Sequence, residues 1–209
     1  MADPVLDFWF DFASTYSYLS AARIRPLAAE AKVRVRFRPF LLGPIFKAQG
    51  WDTSPFNLYE AKGRYMWRDM ERLASGLGLP FRRPDPFPQN SLLPARVALV
   101  GLAQENGQGS GEVWGEDFSV AVYTAQFAEG GRIDDPRTLA AILTLMKVDA
   151  KAALDAAQSD DIKLRLRSEV EAAHRLGVFG APSFTTADGE LFWGNDRLEQ
   201  ALRWAKRGS

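Results

Sequence analysis

The 209-residue chain balances 26 lysines and arginines against 26 aspartates and glutamates, a formal net charge of +0, so it has no long-range field to gather nucleic acid or anionic lipid. Its 46% hydrophobic content is that of a globular protein, and no run reaches the ~18–20 apolar residues that span a bilayer. With no cysteine and a single histidine, His174, disulfides, CxxC redox couples and Cys- or His-rich metal sites are excluded, and one candidate is left for any Ser-His-Asp triad.

From Met1 the chain enters apolar alternation within four residues, which predicts no leader segment and a cytoplasmic protein. "PVLDFWFDF" alternates inside and outside and ends at Asp11, a strand by period. From about Thr15 to Lys32, Tyr18, Leu19, Ala22, Ile24, Leu27 and Ala28 mark a helix with Ser14 at its N-cap, which Pro26 should kink or shorten. "VRVRFRPFLLG" is a period-2 strand with valines and phenylalanines on one face and arginines on the other. Together they form a βαβ unit with parallel strands.

From about Pro55 to Met146 the pattern is helical, in "YEAKGRYMWRDMERLASGLG", "SLLPARVALVGLAQEN" and "VWGEDFSVAVYTAQFAE", separated by the loops "PFRRPDPFPQN", "GQGSG" and "GGRIDDP". A further amphipathic helix, "DDIKLRLRSEVEAAHRLG", precedes "SFTTADGELFW", two strands around an Asp188-Gly189 type I′ turn, and "NDRLEQALRWAK" is a helix capped by Asn195 or Asp196. The order predicts an α/β thioredoxin-like fold, βαβ…ββα, interrupted by an all-helical insertion. Residues 1–44 and 168–209 form the thioredoxin-like domain and 45–167 the insertion.

Six motifs in this order, "DFASTYSYL", "FLLGPIFKAQG", "AKGRYMWRDMERL", "FPQNSLLPAR", "GVFGAPSF" and "FWGNDRLEQAL", carry a resemblance that covers essentially the whole chain. The sequence resembles 2-hydroxychromene-2-carboxylate isomerases, relatives of kappa-class glutathione transferases in the thioredoxin superfamily. The resemblance implies glutathione as cofactor, a small aromatic pyruvate as substrate and a homodimer.

Ser14 stands where a strand hands over to a helix, so its hydroxyl and the first free N–H groups favour an anion there. A serine in that place also serves as a plain N-cap. The resemblance implies that Ser14 hydrogen-bonds the glutathione sulfur and holds it as thiolate, below the ~8.5 of a free thiol. The protein would then take from a ligand the thiol its own chain lacks.

Pro182 suits a cis peptide or an edge-strand proline. The resemblance implies a cis bond and backbone pairing between Ala181 and glutathione. By the same resemblance Trp193, Gly194, Asn195 and Asp196 contact glutathione, with Arg197 as an outer partner and Lys62 helping to bind it or close the site. Lys47 matches the substrate-binding lysine, while Asn57 and Asn90 fall near substrate-contacting positions. For a single lysine, solvated surface is the competing reading.

Trp51, Phe56, Tyr59, Phe81 and Phe87 are read as core or pocket lining, His174 as a helix-surface residue, and "RLRSEVE" as a charge-paired helix face. Two departures from the family pattern stand out: Thr15 where proline usually follows the serine, and Trp51 where many relatives carry asparagine.

The leading expectation is reversible thiolate addition that interconverts 2-hydroxychromene-2-carboxylate and trans-o-hydroxybenzylidenepyruvate. A kappa-like transferase or peroxidase consuming glutathione, and a non-catalytic thioredoxin-like binding module, are the alternatives. A dithiol oxidoreductase is excluded by composition.

Overall fold

A computed structural model describes residues 4–103 and 114–208. The predicted "GQGSG" loop lies outside the described residues. The elements are β1 (Val5–Phe10), α1 (Thr15–Ala31), β2 (Arg34–Pro39), α2 (Leu42–Ala48), α3 (Pro55–Leu58), α4 (Glu60–Gly76), α5 (Leu92–Ala103), α6 (Gly115–Phe127), α7 (Pro136–Leu145), α8 (Ala150–Ala156), α9 (Asp160–Arg175), β3 (Ser183–Thr186), β4 (Leu191–Trp193) and α10 (Leu198–Ala205). The sheet order is β2-β1-β3-β4, with β1 parallel to β2 and the other pairs antiparallel. This is the expected thioredoxin-like fold with its helical insertion.

Register explains the choice of residues on the sheet. Phe37, Phe8, Phe184 and Phe192 lie opposite one another across the four strands. Phe8 sits edge-on to Phe37 at 5.3 Å and stacks on Phe184 at 5.6 Å, geometries that add to the gain from burying each ring. Leu6, Phe8 and Phe10 share one continuous core with α1, Met66 and Met70 of α4, and Phe118, Val122 and Phe127 of α6. Sheet and insertion therefore share a core, and the drawn boundary at 167/168 falls inside α9, which packs on both β2 and α5.

β1 does not alternate between core and solvent as its pattern suggested. Trp9 is fully buried too, because Phe40, Ile45, Ala173 and Val178 cover the second face, and its indole N–H donates to Thr185 Oγ1 at 2.9 Å. Nor is the arginine face of β2 simply solvated: Arg36 chelates Asp7 at 2.6 and 2.7 Å, and Arg38 lies over Trp9 while its Nε reaches Glu169 at 2.7 Å.

Three further local expectations are corrected. Pro26 does not shorten α1, which runs through it to Ala31, because Ile24 and Ala28 are buried on either side of it. The β3–β4 connection is no type I′ turn: of its two central residues only Gly189 has positive φ (89°), and its N–H returns to the Thr186 carbonyl at 3.0 Å. That is the pattern of a longer hairpin loop closed by a left-handed glycine. The closing helix is not capped by Asn195 or Asp196. A single 3₁₀ turn, Asn195–Arg197, precedes α10, and neither start carries a side-chain cap, because the Asn195 carbonyl oxygen accepts instead from Arg23 Nη2 (2.9 Å) and Ser20 Oγ (3.2 Å).

α5 and α6 cross so closely that a Cβ on Gly101 would stand 2.6 Å from Gly115 Cα. That contact fixes the insertion against itself. No described helix is long and apolar enough to cross a membrane.

Candidate active site

The end of β1, the start of α1, the residues before β3 and the turn after β4 converge on Ser14. Ser14 is extended (φ −86°, ψ 119°), and its Oγ accepts from Ser17 N–H at 3.3 Å, the N-cap arrangement expected of it. The same hydroxyl donates to the Ala181 carbonyl at 2.8 Å, across 167 residues of sequence. Capping therefore uses a lone pair and leaves the proton for a second partner, which is how one hydroxyl serves two roles. Ser14 is 8% exposed.

Ala181–Pro182 is a cis peptide, as are Asp85–Pro86 and Phe87–Pro88. The Pro182 carbonyl accepts from Gly194 N–H at 2.9 Å, so the proline and the turn after β4 are held side by side. Gly194 has φ 109°, and a Cβ there would sit 2.6 Å from Asp196 Oδ1, so the turn requires glycine. Trp193 is 53% exposed, its ring 5.0 Å from that of Phe179 and lying over Gly180.

Asn195 turns inward to α1, where Arg23 also ion-pairs with Glu199 at 2.6 Å. Its side chain thus anchors the turn rather than facing outward. Asp196 and Arg197 are exposed and pair at 3.2 Å.

These residues fit glutathione chemically. A hydroxyl proton and the free N–H groups at the start of α1 suit an anionic sulfur. An exposed carboxylate at Asp196 suits an ammonium group.

The substrate-side candidates are less confined. Lys47 is exposed near the end of α2, and Lys62 lies over the Tyr59 ring at 4.8 Å. Asn57 donates to Thr53 Oγ1 at 3.1 Å, and Asn90 accepts from Leu92 N–H at 2.9 Å. Among the described residues, no hydrogen bond joins any of the four to Ser14. Of the aromatics, Phe81 and Phe87 pack on Trp67, Trp51 on Phe46, and only Phe56 approaches the site, 6.4 Å from Tyr16. Tyr16 donates to Asp69 at 3.0 Å, and burial together with that carboxylate holds its phenol well above the usual range.

His174 is exposed on α9, as expected. It lines a depression of about 380 Å³ between α2 and α9 with Pro44, Ile45, Val170, Glu171 and Arg175. A second depression, about 420 Å³, includes Asn90 and Arg96. Ser14 lines neither, and the hydrogen bonds, not the depressions, locate the site.

Sequence reasoning passed over Asp11 as a mere strand end. It is 3% exposed; Oδ1 accepts from Ala13 N–H at 2.8 Å and Oδ2 from Leu42 N–H at 2.7 Å. Its backbone carbonyl accepts from Ser14 N–H and from the Tyr123 hydroxyl, both at 2.8 Å. Burial raises its pKa, while those hydrogen bonds oppose the rise. The available signal was an acid placed after an apolar strand and before a loop, where its carboxylate meets free amides.

Residues 5–203 match the model of the DSBA-like thioredoxin domain. The chain is 29% identical over 195 residues to 2-hydroxychromene-2-carboxylate isomerase of Sphingobium xenophagum, covering 93% of this chain and 94% of that one. It is 26% identical to glutathione S-transferase kappa 2 of Caenorhabditis elegans, over 94% and 89%. A solved structure of 2-hydroxychromene-2-carboxylate isomerase superposes with a TM-score of 0.82 at 26% identity, covering 97% of this chain and 95% of that one. The chain thus belongs to the DsbA-like thioredoxin-domain family, where it is similar over nearly its whole length to 2-hydroxychromene-2-carboxylate isomerases and kappa-class glutathione transferases.

Proposed function

We propose that the chain is a glutathione-dependent isomerase that interconverts 2-hydroxychromene-2-carboxylate and trans-o-hydroxybenzylidenepyruvate, or a related aromatic pyruvate. The observation that carries this reading is the Ser14 hydroxyl, which caps α1 and donates to the Ala181 carbonyl 2.8 Å away. A ligand sulfur seated there takes over that proton by rotation of one hydroxyl, with the cap bond to Ser17 retained. Bound glutathione supplies a thiolate that adds reversibly to the conjugated acceptor, makes a double bond rotatable, and leaves unchanged. Ser14 and the free amides of α1 stabilise the anionic sulfur. The 181–182 and 193–196 segments hold the tripeptide, and Lys47 pairs the substrate carboxylate and steadies the charge that develops on the acceptor. Asn57 and Asn90 complete the substrate side, and Lys62 closes over it.

A cytoplasmic homodimer belongs to the same proposal. In the cytosol reduced glutathione sets the thiol pool.

The test is isomerisation of the aromatic pyruvate with glutathione present in trace amount. Many turnovers per glutathione support the isomerase. Stoichiometric loss of glutathione points to the transferase or peroxidase reading, which the similarity to kappa-class transferases keeps in play. No heat of glutathione binding by calorimetry leaves the binding module.

A further inference from the structure

We propose that Asp11 is a positioning residue that ties the sulfur side of the cleft to its substrate side, an inference that rests on the glutathione reading above. Its carboxylate joins segments that otherwise approach the site separately. Through Ala13 N–H at 2.8 Å it shapes the turn presenting Ser14, whose own N–H is bound by the Asp11 carbonyl. Through Leu42 N–H at 2.7 Å it fixes the start of α2, the helix that carries Lys47. The Tyr123 hydroxyl, bound to the Asp11 carbonyl, fastens the same point to α6 and is the titratable side chain in direct contact with it.

The donors are fixed amides, one to each carboxylate oxygen, in a 3%-exposed place. Only an acceptor-only group satisfies all of them at once. A neutral amide of the same shape turns an N–H₂ toward an N–H and leaves one donor buried without a partner. A displacement of Ser14 or Lys47 on the order of 1 Å is enough to change attack geometry about 100-fold. Asp7, four residues earlier and inside β1, is the natural control: it is also buried, but its carboxylate serves Arg36 on β2 and not the Ser14 turn.

The experiment is ultraviolet titration of the glutathione thiolate bound to wild type, Asp11→Asn and Asp7→Asn, with kcat measured alongside. If wild type shows no bound thiolate, the glutathione reading itself fails. With thiolate present in wild type, the expected result is a titration moved upward by at least half a pH unit in Asp11→Asn, a kcat reduced about tenfold or more, and an unmoved titration in Asp7→Asn. A superimposed curve in folded Asp11→Asn overturns the inference. So does a downward shift, which marks Asp11 as a nearby negative charge only. Should Asp11→Asn not fold, Asp11→Glu keeps the charge and moves the acceptor oxygens by one methylene away from the Ala13 and Leu42 amides. It is then expected to lower kcat at least threefold with glutathione affinity unchanged, and an unchanged kcat overturns the inference.

Discussion

The surroundings of Ser14 and the helices that carry the proposed substrate residues are built differently. The Ser14 side, with Ala181–Pro182 and Gly194, is assembled from backbone: a cap, a hydroxyl-to-carbonyl bond and an amide-to-carbonyl bond, all between segments tied into the sheet. On the proposed substrate side, Lys47, Asn57 and Lys62 are exposed side chains on three helices, Asn57 bonded to Thr53 and Lys62 lying over Tyr59. Backbone geometry tolerates many changes of sequence, whereas a set of solvated side chains is re-cut by single substitutions. On the function proposed above, the first suits the cofactor and the second the substrate.

The largest effect that tests this contrast is Ser14→Ala. It is expected to lower kcat about 100-fold, the scale of losing one donor to a developing anion, to raise the bound thiol's pKa, and to cost about 1 kcal/mol in thermal stability through the lost cap. Unchanged turnover would remove Ser14 from the chemistry. Gly194→Ala comes next. A side chain at φ 109° costs about 1–3 kcal/mol, and glutathione affinity should fall about tenfold as Asp196 and the Pro182 contact shift. Calorimetry and a melting curve read both numbers. Lys47→Ala should raise KM for the carboxylate substrate about tenfold, in line with a charged hydrogen bond of about 1.5–3 kcal/mol, while glutathione binds as before. Equal losses for both ligands would erase the distinction between the two sides.

The smallest expected effect is a pH dependence. Asp11 has its folded pKa raised, chiefly by burial. The folded state therefore holds its proton at pH values where the unfolded chain, at about 3.9, has lost it. The stabilisation is complete below the unfolded value and is lost as pH rises through the folded one. Denaturant titrations from pH 3 upward should show wild type losing stability relative to Asp11→Asn as pH rises, and a difference that stays flat or grows would contradict the burial effect.

Much of the fold is legible in local pattern. The period-2 strands, the N-cap at Ser14 and the helical run after β2 follow from residue spacing, and the order of elements implies the interrupted thioredoxin topology. Where the pattern misleads, the reason is long-range. Trp9 reads as an outward residue until α2 and α9 cover it, and Pro26 reads as a stop until buried neighbours carry the helix past it. Asn195 reads as a cap until Arg23, 172 residues earlier, takes its oxygen.

The site divides along the same line. By itself the sequence established that no protein thiol exists and that a hydroxyl stands at the head of the first helix, because composition and capping are properties of adjacent residues. Only the tertiary structure decided that this hydroxyl meets Ala181, that Gly194 closes on Pro182, and that one buried carboxylate gathers Ala13 and Leu42. Ser14 and Ala181 stand 167 residues apart and Leu42 stands 31 from Asp11, and no spacing rule along a chain encodes which distant donors will share an acceptor once a common core has drawn them together.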